Sequence, residues 1–173
     1  MTNFIKSKIF FLAIIFLAAG TAFAGGLSSH FIEVKLKDLE PGATYSVKEQ
    51  TKKALDIINT TEDITTDIGI EAEKPVDYNL VPGYEPIPDL SWVKIEKNYF
   101  EKVGPGQSVE TDISISIPKG KEHAGKKYQV YIYSHTAGKD TFRMGLMGRV
   151  LLEIKEMDKG KKRPPSPIKE SQR

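Results

Sequence analysis

The sequence predicts an all-β fold, two sheets packed as a sandwich of about seven to eight strands. Three observations carry that expectation. Apolar residues recur at every second position in several separate runs, the pattern of strands with one buried face. Gly, Pro and Asn clusters punctuate those runs at short, regular intervals. No apolar period of 3.6 residues lasts beyond a turn or two.

Residues 1–24 precede this pattern. Lys6 and Lys8 lead into an apolar run of 11 residues from Ile9 to Ala19, and Ala22-Phe23-Ala24 follows. That order is expected of a secretory signal peptide, and the run is short for a membrane span. The expected domain then covers 25–156, with no stable membrane insertion once the signal is removed. Ile32, Val34 and Leu36 form the first alternating run, closed by the turn Leu39-Glu40-Pro41-Gly42. Thr44 to Val47 and Ala54 to Ile58 predict a broken strand kinked around Glu49 to Lys52. Asn59-Thr60-Thr61 leaves it, and the triplet also matches an N-glycosylation acceptor. Ile64, Thr66, Ile68 and Ile70 share one face of the next strand. Glu73 to Leu90, with prolines at 75, 82, 86 and 88, predicts a long crossover loop between the sheets. Trp92 to Glu96 is a short strand. Gly104-Pro105-Gly106 opens the longest alternation, Val109 to Ile117, which Pro118-Lys119-Gly120 ends. Tyr128, Val130 and Ile132 define a further strand. Ala137 to Asp140 is a hairpin turn into a last strand carrying Phe142, Met144, Leu146, Gly148, Val150, Leu152 and Ile154 on one parity.

Charge separates the body from the tail. From Lys155 to Arg173 there are seven basic and three acidic residues, and the composition of 157–173, rich in Lys, Arg and Pro, predicts a disordered basic tail. Removing the signal leaves the chain neutral, so the body is acidic and a poor surface for nucleic acid. The absence of cysteine excludes disulfides, thiolate metal sites and a cysteine nucleophile.

Ordered motifs run through the body. They are Leu39-x-Pro41-Gly42, Asn59-Thr60, Ser91-Trp92, Gly104-Pro105-Gly106, Ile113-x-Ile115-x-Ile117-Pro118, Gly125 three residues before Tyr128, and the strand Gly148 to Ile154. With this order and spacing the chain resembles secreted bacterial immunoglobulin-like Greek-key β-sandwich domains. It is similar to the peptidoglycan-binding Ig-like domain of WxL-type surface proteins and to NEW3-type domains of secreted glycosidases. The inserted stretch Tyr45 to Lys53 departs from that pattern. The resemblance implies a non-catalytic binding or spacer module and supplies no ligand residues.

Candidate chemistry is sparse. Gly104-Pro105-Gly106 lacks the lysine of a phosphate loop, and Pro105 removes a backbone donor. His30, His123 and His135 are not spaced as metal ligands. Asp63, Asp67, Asp77 and Asp89 lack a calcium-loop frame. Ser134 and His135 are adjacent on a strand and face opposite ways, so they cannot pair as nucleophile and base. No catalytic residue, metal or cofactor is therefore expected. Tyr128 resembles a tyrosine corner, whose hydroxyl bonds upstream backbone. Trp92 is either a core residue where the long loop re-enters the sheet or an exposed stacking platform. Tyr131 and Tyr133 share one face of a strand, to be left open for recognition or covered by the loop that carries Tyr78 and Tyr84. The candidate recognition surface is thus Tyr78, Tyr84, Trp92, Tyr131 and Tyr133.

The functional expectation is a secreted, non-catalytic structural or protein-binding module of the bacterial cell envelope. It would be exported to the periplasm, the cell surface or beyond, and would meet an envelope protein or cell-wall polymer, with no nucleic acid. A pilus-chaperone-like or pilus-associated protein is one alternative. A carbohydrate- or peptidoglycan-binding accessory module is another.

Overall fold

A computed structural model describes residues 25–137 and 144–156. The predicted signal peptide, most of the 137–140 hairpin turn and the 157–173 tail lie outside them. Twelve strand segments form: β1 (Leu27–Ser28), β2 (Glu33–Leu39), β3 (Thr44–Ser46), β4 (Leu55–Asn59), β5 (Thr66–Glu73), β6 (Glu85–Pro86), β7 (Val93–Ile95), β8 (Tyr99–Val103), β9 (Ser108–Thr111), β10 (Ile113–Ser116), β11 (Lys127–Ala137) and β12 (Gly145–Ile154). Among the described residues one α-helical turn, α1 (Val47–Thr51), and three 3-10 turns interrupt them.

One layer is a six-stranded sheet ordered β2-β12-β11-β5-β8, with the short β6 on β11. The facing layer consists of two three-stranded pieces, β1-β4-β9 and β3-β10-β7. The chain itself joins those pieces, through β3–α1–β4 and through β9–β10. Both lateral seams are closed by a strand path that changes layer. β1 lies at the edge of one layer and β2 at the edge of the other, and β7 and β8 repeat the arrangement on the opposite side. Two predicted runs are split, into β3/β4 and β9/β10, and β1, β6 and β8 are additional, so twelve segments stand where about seven or eight strands are expected. β2 and β12 pair in parallel, from Arg149 opposite Glu33 to Ile154 opposite Leu39.

The core follows the predicted parity. Val34 and Leu36, Ile68 and Ile70, Ile113 and Ile115, Val130 and Ile132, and Val150 and Leu152 are all buried between the layers. Each such side chain contributes about 1.5–3 kcal/mol by leaving water. The parity fails at the ends of two runs. Ile32 is 69% exposed, because β2 begins only at Glu33, and Ile64 is exposed ahead of β5.

The longest alternating run is not one strand. It breaks at Asp112, where β9 pairs with β4 and β10 pairs with β3 and β7. The Asp112 carboxylate takes over from the ladder. Its Oδ1 accepts the backbone N–H groups of Ile113 at 2.8 Å and Lys48 at 3.0 Å, and its Oδ2 accepts Ser46 Oγ at 2.5 Å. Ser46 in turn caps α1 by accepting the Glu49 N–H at 3.0 Å. The inserted stretch is therefore a capped helical turn rather than a kinked strand. It ends at Lys52, in the left-handed region at φ 60°.

Asn59 is fully buried at the end of β4. Its Nδ2 donates to the carbonyls of Ile64 at 2.8 Å and Val103 at 2.9 Å, and its Oδ1 accepts the Thr61 N–H and hydroxyl. The glycosylation match is thus occupied by a structural amide in the folded domain. The long loop does cross between layers, as expected, but it first lays β6 parallel against β11. Trp92 ends a 3-10 turn, Leu90–Trp92, and the strand starts one residue later. Among the described residues no helix is long and apolar enough to cross a membrane.

Candidate recognition surface

Odd-numbered residues of β11 point away from the core, and its neighbours in register complete the outer face of the six-stranded sheet. Tyr131 lies between Glu73 of β5 and Arg149 of β12, Tyr133 between Glu71 and Met147, and His135 between Gly69 and Gly145. Tyr99 of β8 continues the last row beyond Gly69. Aromatic residues therefore form a spine along β11. Asp67, Glu71 and Glu73 line one side of it, and Met147 and Arg149 the other.

The two glycines keep this face flat. A Cβ on Gly145 would lie 2.5 Å from the Tyr133 ring, and one on Gly69 would lie 2.8 Å from the His135 ring. Each ring leans over the space that a side chain would fill. The rings of Tyr133 and His135 stack, with centroids 5.2 Å apart and planes 27° from parallel. His135 is held by Thr136 O, 3.1 Å from its Nδ1, and by Glu71 Oε1, 3.3 Å from its Nε2. Met147 beside Tyr133 is 46% exposed.

The crossover loop covers the other end of the face. Gln129, fully buried, holds it by accepting the Val81 N–H at 2.9 Å and donating to Asn79 O at 3.1 Å. Ile87 adds a backbone bond to Gln129 O at 2.9 Å. Tyr131 donates its hydroxyl to the same Asn79 carbonyl at 3.0 Å. Tyr78, one residue earlier, is 87% exposed. Tyr84 is buried under this loop and donates to Glu153 Oε1 at 2.7 Å, with Lys35 and Lys127 5.7 and 5.9 Å from its ring centroid. Burial and the bond to Glu153 push the Tyr84 hydroxyl pKa up, and the same bond holds the Glu153 carboxyl below the usual range.

The five residues singled out from the sequence therefore separate. Tyr131 and Tyr133 share the outer face, and Tyr78 stands on the loop that bounds it. Tyr84 staples that loop down. Trp92, 6% exposed, belongs to the core, where its ring meets His123 at 4.9 Å and Tyr128 at 5.6 Å, both edge-on. The Tyr128 hydroxyl lies 3.1 Å from His123 Nδ1, so it engages an upstream side chain and not the upstream backbone expected of a tyrosine corner. The sequence reading missed Glu71, Glu73 and Met147 as parts of the face. The signal for the carboxylates was present in the parity opposite Ile68 and Ile70.

Asp67 bounds the lane near β8. It accepts the Lys102 N–H at 2.8 Å and the Tyr99 hydroxyl at 2.7 Å, which hold its carboxyl below the usual range. The three histidines are dispersed. His30 pairs with Asp56, His123 joins the Trp92–Tyr128 cluster, and His135 serves the spine. Among the described residues no group of three or more His, Asp or Glu is placed to hold a metal ion.

No protein-family model matches the chain, and no curated protein does. Solved structures do match. A putative carbohydrate-binding protein from Bacteroides ovatus ATCC 8483 aligns over 76% of this chain and 37% of that one, at 13% identity and a TM-score of 0.50. The ASH/PapD-like domain of human CEP192 aligns over 77% of this chain and 87% of its own, at 12% identity and a TM-score of 0.49. The periplasmic chaperone SfaE aligns over 81% of this chain and 60% of its own, at 13% identity and a TM-score of 0.45. The chain thus spans less than two thirds of two of these three proteins. The fold is an immunoglobulin-like β-sandwich, as the sequence predicts.

Proposed function

We propose that this chain is an exported, non-catalytic binding module of the bacterial cell envelope, and that it meets a protein partner through the outer face of its six-stranded sheet. One observation carries the reading. Tyr131, Tyr133 and His135 form a flat spine over Gly69 and Gly145, beside the exposed Met147 and next to the loop that carries Tyr78. Met147 and Tyr78 are exposed and Tyr131 and Tyr133 partly so, around the buried His135, and aromatic and Met side chains are enriched in the centres of interfaces. The predicted signal peptide and the resemblance to WxL-associated and NEW3-type domains support the envelope location. The same resemblance, which implies a binding or spacer module, supports the non-catalytic reading.

The test is site-specific photocrosslinking in the native envelope. A photoreactive residue at Met147 is expected to give a discrete adduct, and one at Ser116 on the opposite layer is not. Equal labelling at both positions, or none at Met147, sinks this reading. A carbohydrate-binding accessory module is the second reading, favoured by the near-parallel Tyr133 and His135 rings, a shape on which a sugar ring can stack.

A further inference from the structure

We infer that the outer face binds an extended polypeptide segment carrying cationic side chains at alternate positions; this names the partner chemistry of the recognition surface proposed above and rests on that reading.

Charge complementarity commits the face to this occupant. Asp67, Glu71 and Glu73 project from one side of β5, with Gly69 between them. Neighbours on one face of a strand are separated by about 6.6–6.8 Å. An extended partner repeats its own side chains at the same interval, so cations two residues apart meet Glu71 and Glu73 in step. Among the described residues no Lys or Arg pairs with either carboxylate; Glu71 meets only the His135 ring, 3.3 Å from its Nε2, and Arg149 across the spine is engaged by Glu33 at 3.3 Å. Asp67, at the end of the same row, is held by two uncharged hydrogen-bond donors, a phenol and a backbone N–H, and lies within reach of the Lys102 charge.

The spine supplies the second half of the recognition. A cation lying between the Glu71 carboxylate and the face of Tyr133 meets both a negative charge and the negative side of an aromatic quadrupole. The rings of His135 and Tyr133 lie down over Gly69 and Gly145, which leaves a flat surface for an extended backbone. The aliphatic stems of Lys or Arg would cover Met147 and Tyr133 while their charged ends reach the carboxylates. A polyanion, whether wall polymer or nucleic acid, would face repulsion from the same lane.

The test is binding of the full chain to a fluorescent peptide of four Lys-Ser repeats, followed by anisotropy at low and at physiological salt. Binding is expected, and the Glu71→Gln/Glu73→Gln double variant and Tyr133→Ala are each expected to weaken it about five- to tenfold. The charge-matched control Glu110→Gln/Glu122→Gln should leave the affinity within twofold. The inference is overturned if the control loses as much as the double variant, if a Glu-Ser repeat binds equally well, or if only the neutral glycan chitohexaose binds. Crosslinking at Met147 separates the two proposals. A specific adduct there without Lys-Ser binding removes the cationic partner and leaves the recognition face standing.

Discussion

His30 Nδ1 lies 2.6 Å from Asp56 Oδ2, which ties the crossing between β1 and β2 to the start of β4. Asp56 Oδ1 also accepts the His30 N–H at 3.1 Å and Ser29 Oγ at 3.3 Å. Burial of Asp56 works against its ionisation, but the bonds from the His30 ring and backbone outweigh it and hold the carboxyl below the usual range.

A carboxyl whose pKa is lower in the folded state stabilises that state above its unfolded pKa of about 3.9. The contribution is lost as pH falls through the folded value. The chain is therefore expected to lose stability below about pH 4, with Glu153 and Asp67 acting in the same direction. Asp56→Asn should lower stability at pH 7 by about 1–2 kcal/mol and flatten the acid limb. Urea midpoints between pH 3 and pH 7 measure both effects, and an unchanged acid limb in the variant contradicts this assignment.

Asn59→Ala should be among the most damaging single polar substitutions. It strips the partner from the buried Val103 carbonyl and the buried Thr61 N–H, and one of two donors from the part-buried Ile64 carbonyl. A loss of about 2–4 kcal/mol is expected in chemical denaturation. A loss below about 1 kcal/mol would show that this buried amide does not pin the turn.

Trp92→Ala and Tyr78→Ala separate core from surface. The first removes a buried ring from the His123–Tyr128 cluster and should cost about 3–5 kcal/mol. The second truncates an exposed side chain and should change stability by less than about 0.5 kcal/mol. Thermal melts compare the two directly, and similar losses would contradict the placement of Trp92 in the core.

Gly69→Ala and Gly145→Ala test the flatness of the outer face. At Gly69 the new Cβ meets the buried His135 ring, and a cost of about 1–3 kcal/mol is expected. At Gly145 it meets the half-exposed Tyr133 ring, which can swing aside, so the fold should lose less than about 1 kcal/mol. Paired melts at the two sites check the difference.

Much of the fold was legible because alternation records which side of a strand is buried. The Ile113, Ile115 and Ile117 run and the Val150 to Ile154 run landed in the core with the expected parity. The break at Asp112 was hidden, because the parity of the buried residues continues straight through it. What changes there is the partner of each ladder, which depends on Ser46 and Lys48, more than 60 residues earlier. β8 escaped notice for a different reason. Its register against β5 shifts between Thr66 and Ile68, so its buried residues Phe100 and Val103 do not alternate. For the recognition surface, sequence identified aromatic residues but not their sides. Only the path of the loop over Gln129 decides that Tyr84 is covered and Tyr78 is not.

The parallel pairing of β2 with β12 has a mechanical consequence. The first long strand and the last lie side by side and run the same way, so the chain enters the pair at one end and leaves it at the other. Tension applied between the two termini of the domain would run along the strand axis and load the hydrogen bonds of this pair together, in shear, instead of opening them one at a time. A module built this way resists stretching at the point where a neighbouring segment would pull on it.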